Sequence, residues 1–201
     1  MGDAQTFWDE KFASDAWVYG QEPNDFLREL APRLSGPVLC LGEGEGRNAV
    51  FLAQRGLSVT AVDASPVGLA KARRLAAARG VHVETCACDL ADFELGQARW
   101  GAIVSIWCHT PTRLREQVHR RVVDALAPGG RFVLEAYTPR QLAFQTGGPK
   151  SPDLLVEPEA LRRELAGLEL ERLEELERDV QEGTLHQGRS AVVQAVARRP
   201  A

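Results

Sequence analysis

A chain of 201 residues, 44% of them hydrophobic, is long enough to bury one full core, and it carries no internal repeat. A formal charge of −4 offers no basic face for DNA or RNA, so small molecules are the expected partners. Met1 to Asp15 has no basic leader with an apolar core, and no later stretch reaches bilayer-crossing length; a cytoplasmic protein off the membrane, monomeric or homodimeric, is expected.

Thr6 to Phe12 (TFWDEKF) reads as a short helix, and Asn24 to Leu34 as a second with Asn24 as N-cap and Phe26, Leu27, Leu30 and Leu34 facing inward. Between them AWVYGQEP, residues 16–23, sets Trp17 and Tyr19 before a Gly20 and Pro23 turn. Residues 1–36 are thus a helical flap. Two readings of it stand: a packing segment that pins the N-terminus, or a lid that excludes water, with Tyr19 at the site.

VLCLGEGEGRNAV, residues 38–50, is strand, glycine turn and helix. Gly42, Gly44 and Gly46 permit φ > 0 and close approach of a ligand to the backbone, and the N–H groups opening the next helix attract a carboxylate or phosphate. The dinucleotide fingerprint wants its third glycine one place further along, where Arg47 stands.

Leu57 to Val62 reads as a second strand ending in Asp63, followed by Ala64 and a helix opened by Ser65 and Pro66. An acidic residue about twenty positions past the glycines, at a strand's C-terminal end, is placed to accept ribose hydroxyls; a helix-capping aspartate is the plain alternative. Val81 to Cys88 is a third strand that closes on Asp89 and Leu90, a turn able to read adenine. Phe93 is expected in the core.

Trp100 to Trp107 is the most apolar strand and delivers Cys108 and His109 to the ligand edge. Thr110 and Pro111 then open a helix with Leu114, Val118, Val122, Ala125 and Leu126 on one stripe. His109 is a proton acceptor, a substrate-orienting hydrogen bonder or a cap, and imidazole suits all three. APGG, residues 127–130, leads into a fifth strand, Arg131 to Tyr137, carrying Glu135 and Tyr137 toward the same edge. Thr138 to Glu157 reads as a substrate loop. Leucines from Leu168 to Val180 fit helix or strand, and Gly183 followed by SAVVQAVA decides for a closing hairpin. His186, at the start of the last strand, either reaches the acceptor site or is a surface histidine, the plainer of the two readings. Cys40, Cys86, Cys88 and Cys108 lie in apolar runs without a zinc spacing, so buried reduced thiols and no metal are expected.

GEGEGRNAVFLA, VDAS, IWCHTP, the proline and paired glycines before the fifth strand, YGQEPNDFL and GGPKSP together resemble the class I S-adenosylmethionine-dependent methyltransferases, in particular a small subfamily similar to the tellurite-resistance methyltransferases. The resemblance implies an α/β, Rossmann-like, doubly wound seven-stranded sheet, mostly parallel with an antiparallel last strand. Residues 37–201 are then the cofactor-binding domain behind the flap. It further implies S-adenosylmethionine as cofactor, S-adenosylhomocysteine as product and a small thiol, metalloid oxyanion or similar nucleophile as acceptor. Cofactor-binding positions would be Gly42, Glu43, Gly44, Gly46, Asn48, Asp63, Ala64, Asp89, Leu90 and Trp107; catalytic candidates would be His109, Tyr19, Glu135 and Tyr137. The family commonly has an acid two places before the first glycine, and this chain has Cys40 there; Glu43 or backbone carbonyls would then receive the cofactor's ammonium group. A regulatory module that binds the cofactor without turnover and a nicotinamide-dependent reductase are the alternatives.

Overall fold

The computed structural model describes residues 2–144 and 146–201, with side chains at the N-terminus from Ala4 onward. Of the expected substrate loop, Gln145 lies outside the described residues, as does Met1. The elements run α1 (Gly2–Phe12), α2 (Asp25–Leu30), β1 (Val38–Leu41), α3 (Arg47–Gln54), β2 (Val59–Asp63), α4 (Pro66–Ala78), β3 (Glu84–Ala87), β4 (Trp100–Ile106), α5 (Thr112–Ala125), β5 (Leu126–Tyr137), α6 (Pro158–Glu164), β6 (Glu169–Glu182) and β7 (His186–Arg198).

One seven-stranded sheet has the order β3-β2-β1-β4-β5-β7-β6. The pairs from β3 through β5 are parallel, and β7 runs antiparallel to both β5 and β6. Alternation along each strand divides the core. Val38 and Cys40 of β1 pack with α2, α3 and α4 on one face, while Leu39 and Leu41 join α5 and α6 on the other. β4, central and covered on both sides, is buried at all seven positions, as its unbroken apolar run requires. The strand order reverses between β1 and β4, and a crevice opens there at the C-terminal strand ends.

Local chemistry accounts for the helix starts. Asn24 caps α2 by accepting from Leu27 N–H at 2.9 Å, and Ser65 caps α4 by accepting from Gly68 N–H at 3.0 Å with Pro66 in the first turn. α5 departs from expectation: it opens at Thr112 with no cap from its own flank, and Asp153 from the 138–157 segment accepts from Thr112 N–H at 3.2 Å. Leu126 belongs to β5, opposite Trp100, because the helix ends one residue earlier and the APGG stretch forms the irregular start of the strand. β3 is shorter than its apolar run suggests and only half-buried, as befits an edge. Cys86, Cys88 and Cys108 are accordingly half-buried rather than buried like Cys40, and all four are free thiols. Among the described residues no helix is long and apolar enough to cross a membrane.

Candidate active site

At the crevice lies a cavity of about 670 Å³. The glycine turn forms its floor. Gly42 has φ +58°, and a Cβ there would stand 2.5 Å from Cys108 Sγ. Gly46 has φ +91°, and a Cβ there would stand 2.4 Å from the Ala72 Cβ. Gly46 does not line the cavity; it lacks a side chain because α4 lies against it, a packing requirement where the sequence suggests ligand access.

The N–H groups that open α3 are likewise not free. Glu43 Oε1 accepts from Asn48 N–H at 2.9 Å and Ala49 N–H at 2.8 Å, so the turn supplies its own helix-end carboxylate. Burial pushes the Glu43 carboxyl up to about 7, against those two hydrogen bonds. Glu43 still lines the cavity, an acid from inside the turn on the side where Cys40 has replaced one on the strand.

Asp63 braces two elements and faces the cavity, while the cap of α4 is Ser65. Its Oδ2 accepts from Gly44 N–H and its Oδ1 from Ser65 N–H, each at 2.8 Å, tying the glycine turn to the start of α4, and it lines the cavity with Ala64. Burial raises its pKa. Asp89 and Leu90, beyond β3, continue the same wall, and Asp89 Oδ1 accepts from Ala91 N–H at 2.9 Å. Phe93 packs in the core beside β4 and α5, as expected.

The other end of the cavity is aromatic. Trp107, at φ +56°, turns at the end of β4 and stacks on Tyr137 with ring centres 4.4 Å apart. His109 stacks on the other contact of Tyr137 at 5.4 Å. The Nδ1 of His109 meets the Leu154 carbonyl at 2.9 Å; a carbonyl only accepts, so Nδ1 carries the hydrogen and Nε2 is a bare lone pair. That Nε2 is buried without a hydrogen-bond partner, and burial holds the imidazole neutral, its pKa lowered to about 4.

Two catalytic candidates sit elsewhere. Glu135, fully buried, does not line the cavity; it binds Arg178 through both oxygens and accepts from Asn24 and Gln194, because β7 and β6 bring Gln194 and Arg178 alongside β5 and the cap of α2 brings Asn24. Tyr137 backs Trp107 and His109 from behind, with Gly147 and Gly148 packed on it. Tyr19 does line the cavity. His186, a surface histidine on the plainer reading, is instead 6% exposed, lines the cavity and packs against Tyr19 at 4.7 Å and Trp107 at 5.2 Å. The hairpin starts beneath the flap, and the residue count to Gly183 carries no signal of that.

α1 roofs the cavity with Phe7, Trp8, Lys11 and Phe12. Lys71, buried on α4, donates to the carbonyls of Ser14 at 2.9 Å and Ala16 at 2.6 Å and pairs with Glu45 of the glycine turn at 2.5 Å, while Tyr19 N–H donates to Glu45 Oε2 at 3.1 Å. A second buried cluster centres on Glu182. It accepts from Trp107 Nε1 at 2.6 Å and Asn24 Nδ2 at 2.8 Å and pairs with Arg178 and Arg47. Burial alone would raise Glu182, but Arg47 and the other donors hold it down to about 2. Lys71, Arg47 and Glu182 escaped the sequence reading because each stands among the ordinary charges of a helix or strand, and Glu45 because its partner Lys71 lies on a different element. Among the described residues no cluster of His, Cys, Asp and Glu is arranged to hold a metal.

The cavity's donor set suits an adenosyl sulfonium: Glu43, Asp63 and Asp89 face the half where its ammonium, sugar and base would lie, and the glycine turn keeps that floor low. Residues 38–130 match the family model described as a methyltransferase domain. Sheet order and glycine turn agree with that match, and the fold is one the chain shares with solved methyltransferases. The chain is similar to 2-heptyl-1-hydroxyquinolin-4(1H)-one methyltransferase of Mycobacteroides abscessus, 29% identical over 141 residues that cover 68% of this chain and 62% of that one. The chain thus spans less than two thirds of that curated relative's length. In fold it is similar to TehB from Haemophilus influenzae, with TM-score 0.71 and 16% identity over 98% of this chain and 67% of that one. It is also similar to the N-methyltransferase NodS of Bradyrhizobium japonicum WM9 in complex with S-adenosyl-L-homocysteine, with TM-score 0.70 and 18% identity over 99% and 100% of the two chains.

Proposed function

We propose that the chain transfers the methyl group of S-adenosylmethionine to a small-molecule oxygen or sulfur nucleophile. The observation that carries this reading is the division of one cavity into a carboxylate-lined half over the glycine turn and an aromatic half beneath the flap. Glu43 and Asp63 hold the turn in shape and offer negative charge to the cofactor's cationic end. Asp63 would also receive the ribose hydroxyls, and Asp89 with Leu90 the adenine. When bound, the cofactor supplies a methyl group on a sulfonium leaving group, so the protein's own part is alignment and exclusion of water. Alignment is worth on the order of 7 to 11 kcal/mol. The flap residues Trp8, Phe12 and Tyr19 close the aromatic half, so residues 1–36 act as its lid.

The Mycobacteroides relative is named for a hydroxyquinolone, a small nucleophile of this kind. The protein works in the cytoplasm, where the cofactor is made available and thiols stay reduced. Incubation with S-adenosylmethionine and a panel of thiols, phenols, amines and metalloid oxyanions tests the reading. Formation of S-adenosylhomocysteine with one acceptor class supports it, and binding without product for every class would make the chain a cofactor-binding module.

A further inference from the structure

The aromatic half of the cavity has two histidines on unrelated elements. His109 follows β4 and His186 begins β7, yet both rings lie against Trp107, at 6.3 and 5.2 Å, and against Tyr137, at 5.4 Å each. Each keeps a ring nitrogen, His109 Nε2 and His186 Nδ1, buried without a hydrogen-bond partner. Unpartnered buried nitrogens in a cavity wall cost free energy that a ligand with a donor would recover. Burial keeps both rings neutral, His186 down to about 3 even with Glu182 nearby, with His109, Arg47 and Lys11 adding to the effect. Arg115 acts likewise on His109.

A lone pair on neutral imidazole accepts hydrogen bonds and repels another lone pair. A fully ionised oxyanion therefore meets the wrong partner here. The cavity's Arg47 is already matched by Glu182, and Lys71 behind the turn by Glu45. The remaining cavity cations, Lys11 and Lys150, line the rim. The walls suit a flat ring: Trp8 and Phe12 stack on each other at 5.5 Å on the flap side, Trp107 faces the cavity from the sheet side, and the half-exposed Phe7 and Leu185 make an apolar rim.

Resting on the methyl-transfer reading above, we propose that His109 and His186 form a paired acceptor subsite for an uncharged planar molecule bearing a weakly acidic ring hydroxyl. His186 hydrogen-bonds the ring's polar edge through its unpartnered Nδ1 and fixes its orientation. The hydroxyl oxygen forms a C–O bond to the methyl carbon as the carbon–sulfur bond of the cofactor breaks, and its proton passes to Nε2 of His109 and on to solvent. The hydroxyl proton becomes strongly acidic as the C–O bond forms, and at that stage a weakly basic imidazole takes it, most readily from a hydroxyl that is already acidic.

The test measures S-adenosylhomocysteine formation with 1-naphthol, 4-hydroxyquinoline and a series of chlorophenols that stay protonated at the assay pH, against tellurite, 2-mercaptoethanol and benzylamine, with calorimetry of S-adenosylhomocysteine binding alongside. Turnover is expected on the hydroxylated rings. His186→Phe should raise KM for them about tenfold, the loss of one hydrogen bond, with kcat little changed and S-adenosylhomocysteine affinity intact. His186→Asn, which keeps an acceptor, should recover part of that KM, and His109→Gln should lower kcat roughly 100-fold. Turnover confined to tellurite or the thiol, no turnover of any hydroxylated ring, or an unchanged KM in His186→Phe overturns the subsite while leaving cofactor binding in place. Absence of S-adenosylhomocysteine binding to the wild-type chain overturns the methyl-transfer reading itself, and this subsite with it.

Discussion

Lys71 and Glu45 meet as a buried ion pair, Nζ to Oε1 2.5 Å, where the flap, the glycine turn and α4 come together. Both side chains are at least 96% buried, so neither charge has water to fall back on. The same ammonium donates to the Ser14 and Ala16 carbonyls, which makes one lysine the fastening of residues 12–19 to the cofactor floor. Removing one partner of a buried pair costs about 3–5 kcal/mol. Lys71→Met is expected to lower stability by that order and to expose the segment around Ser14 to protease before the rest of the chain. Limited proteolysis with mass mapping checks this; equal protection of the flap in the variant would contradict the fastening.

Gly46→Ala is expected to fail for a packing reason. The backbone is at φ +91° and the new methyl would lie 2.4 Å from the Ala72 Cβ, so α3 and α4 must part. Left-handed strain alone is about 1–2 kcal/mol, and the clash adds to it. Denaturant midpoints would show a large drop for Gly46→Ala and a much smaller one for Gly56→Ala, where φ is +83° and nothing lies within 4 Å.

Glu135→Gln separates structure from chemistry. Glu135 holds Arg178, Asn24 and Gln194 away from the cavity, so the variant should unfold more easily yet turn over normally per folded molecule. A fall of 100-fold or more in kcat with stability unchanged would restore Glu135 as a base.

Stability should fall with acid in two stages. His109 and His186 fold with pKa values lowered to about 4 and about 3 from 6.5, so their contribution is complete above pH 6.5 and is lost as pH falls through 4 and 3. Glu182, held at about 2 from 4.5, contributes above pH 4.5 and loses its share on the way down to 2; Glu164 does the same, held down by His119 and Arg115 against its burial. Glu43 runs the other way, since its pKa is raised to about 7 and its share is present below 4.5 and lost as pH rises through 7. Thermal melts should thus decline below pH 6.5 and more steeply below 4.5. His186→Phe should flatten the first stage; an unchanged slope there would contradict the buried neutral His186.

The fold was legible because its signals are local. The apolar run of β4, the Asn24 and Ser65 caps and the glycine after Glu182 each specify an element from a few neighbours. The carboxylate-lined half of the cavity was legible for the same reason, lying in three turns after three strands. What stayed hidden depends on contacts across the chain: Glu43 folding back onto α3, Asp153 capping α5, and His186 buried under Tyr19. Glu135 misled because strand alternation gives the face of a residue and not the partners, here Arg178 and Gln194, that later strands bring alongside it.

The most direct measurement is hydrogen exchange of the wild-type chain with S-adenosylhomocysteine, paired with thermal shift against NAD. At a hundred times its dissociation constant the compound should add about 2.7 kcal/mol of stability, with slowed exchange at residues 42–48, 63–65 and 89–91, while NAD adds none. Equal stabilisation by NAD, or protection that bypasses those three turns, would contradict a cofactor cradle for S-adenosylmethionine at the strand ends.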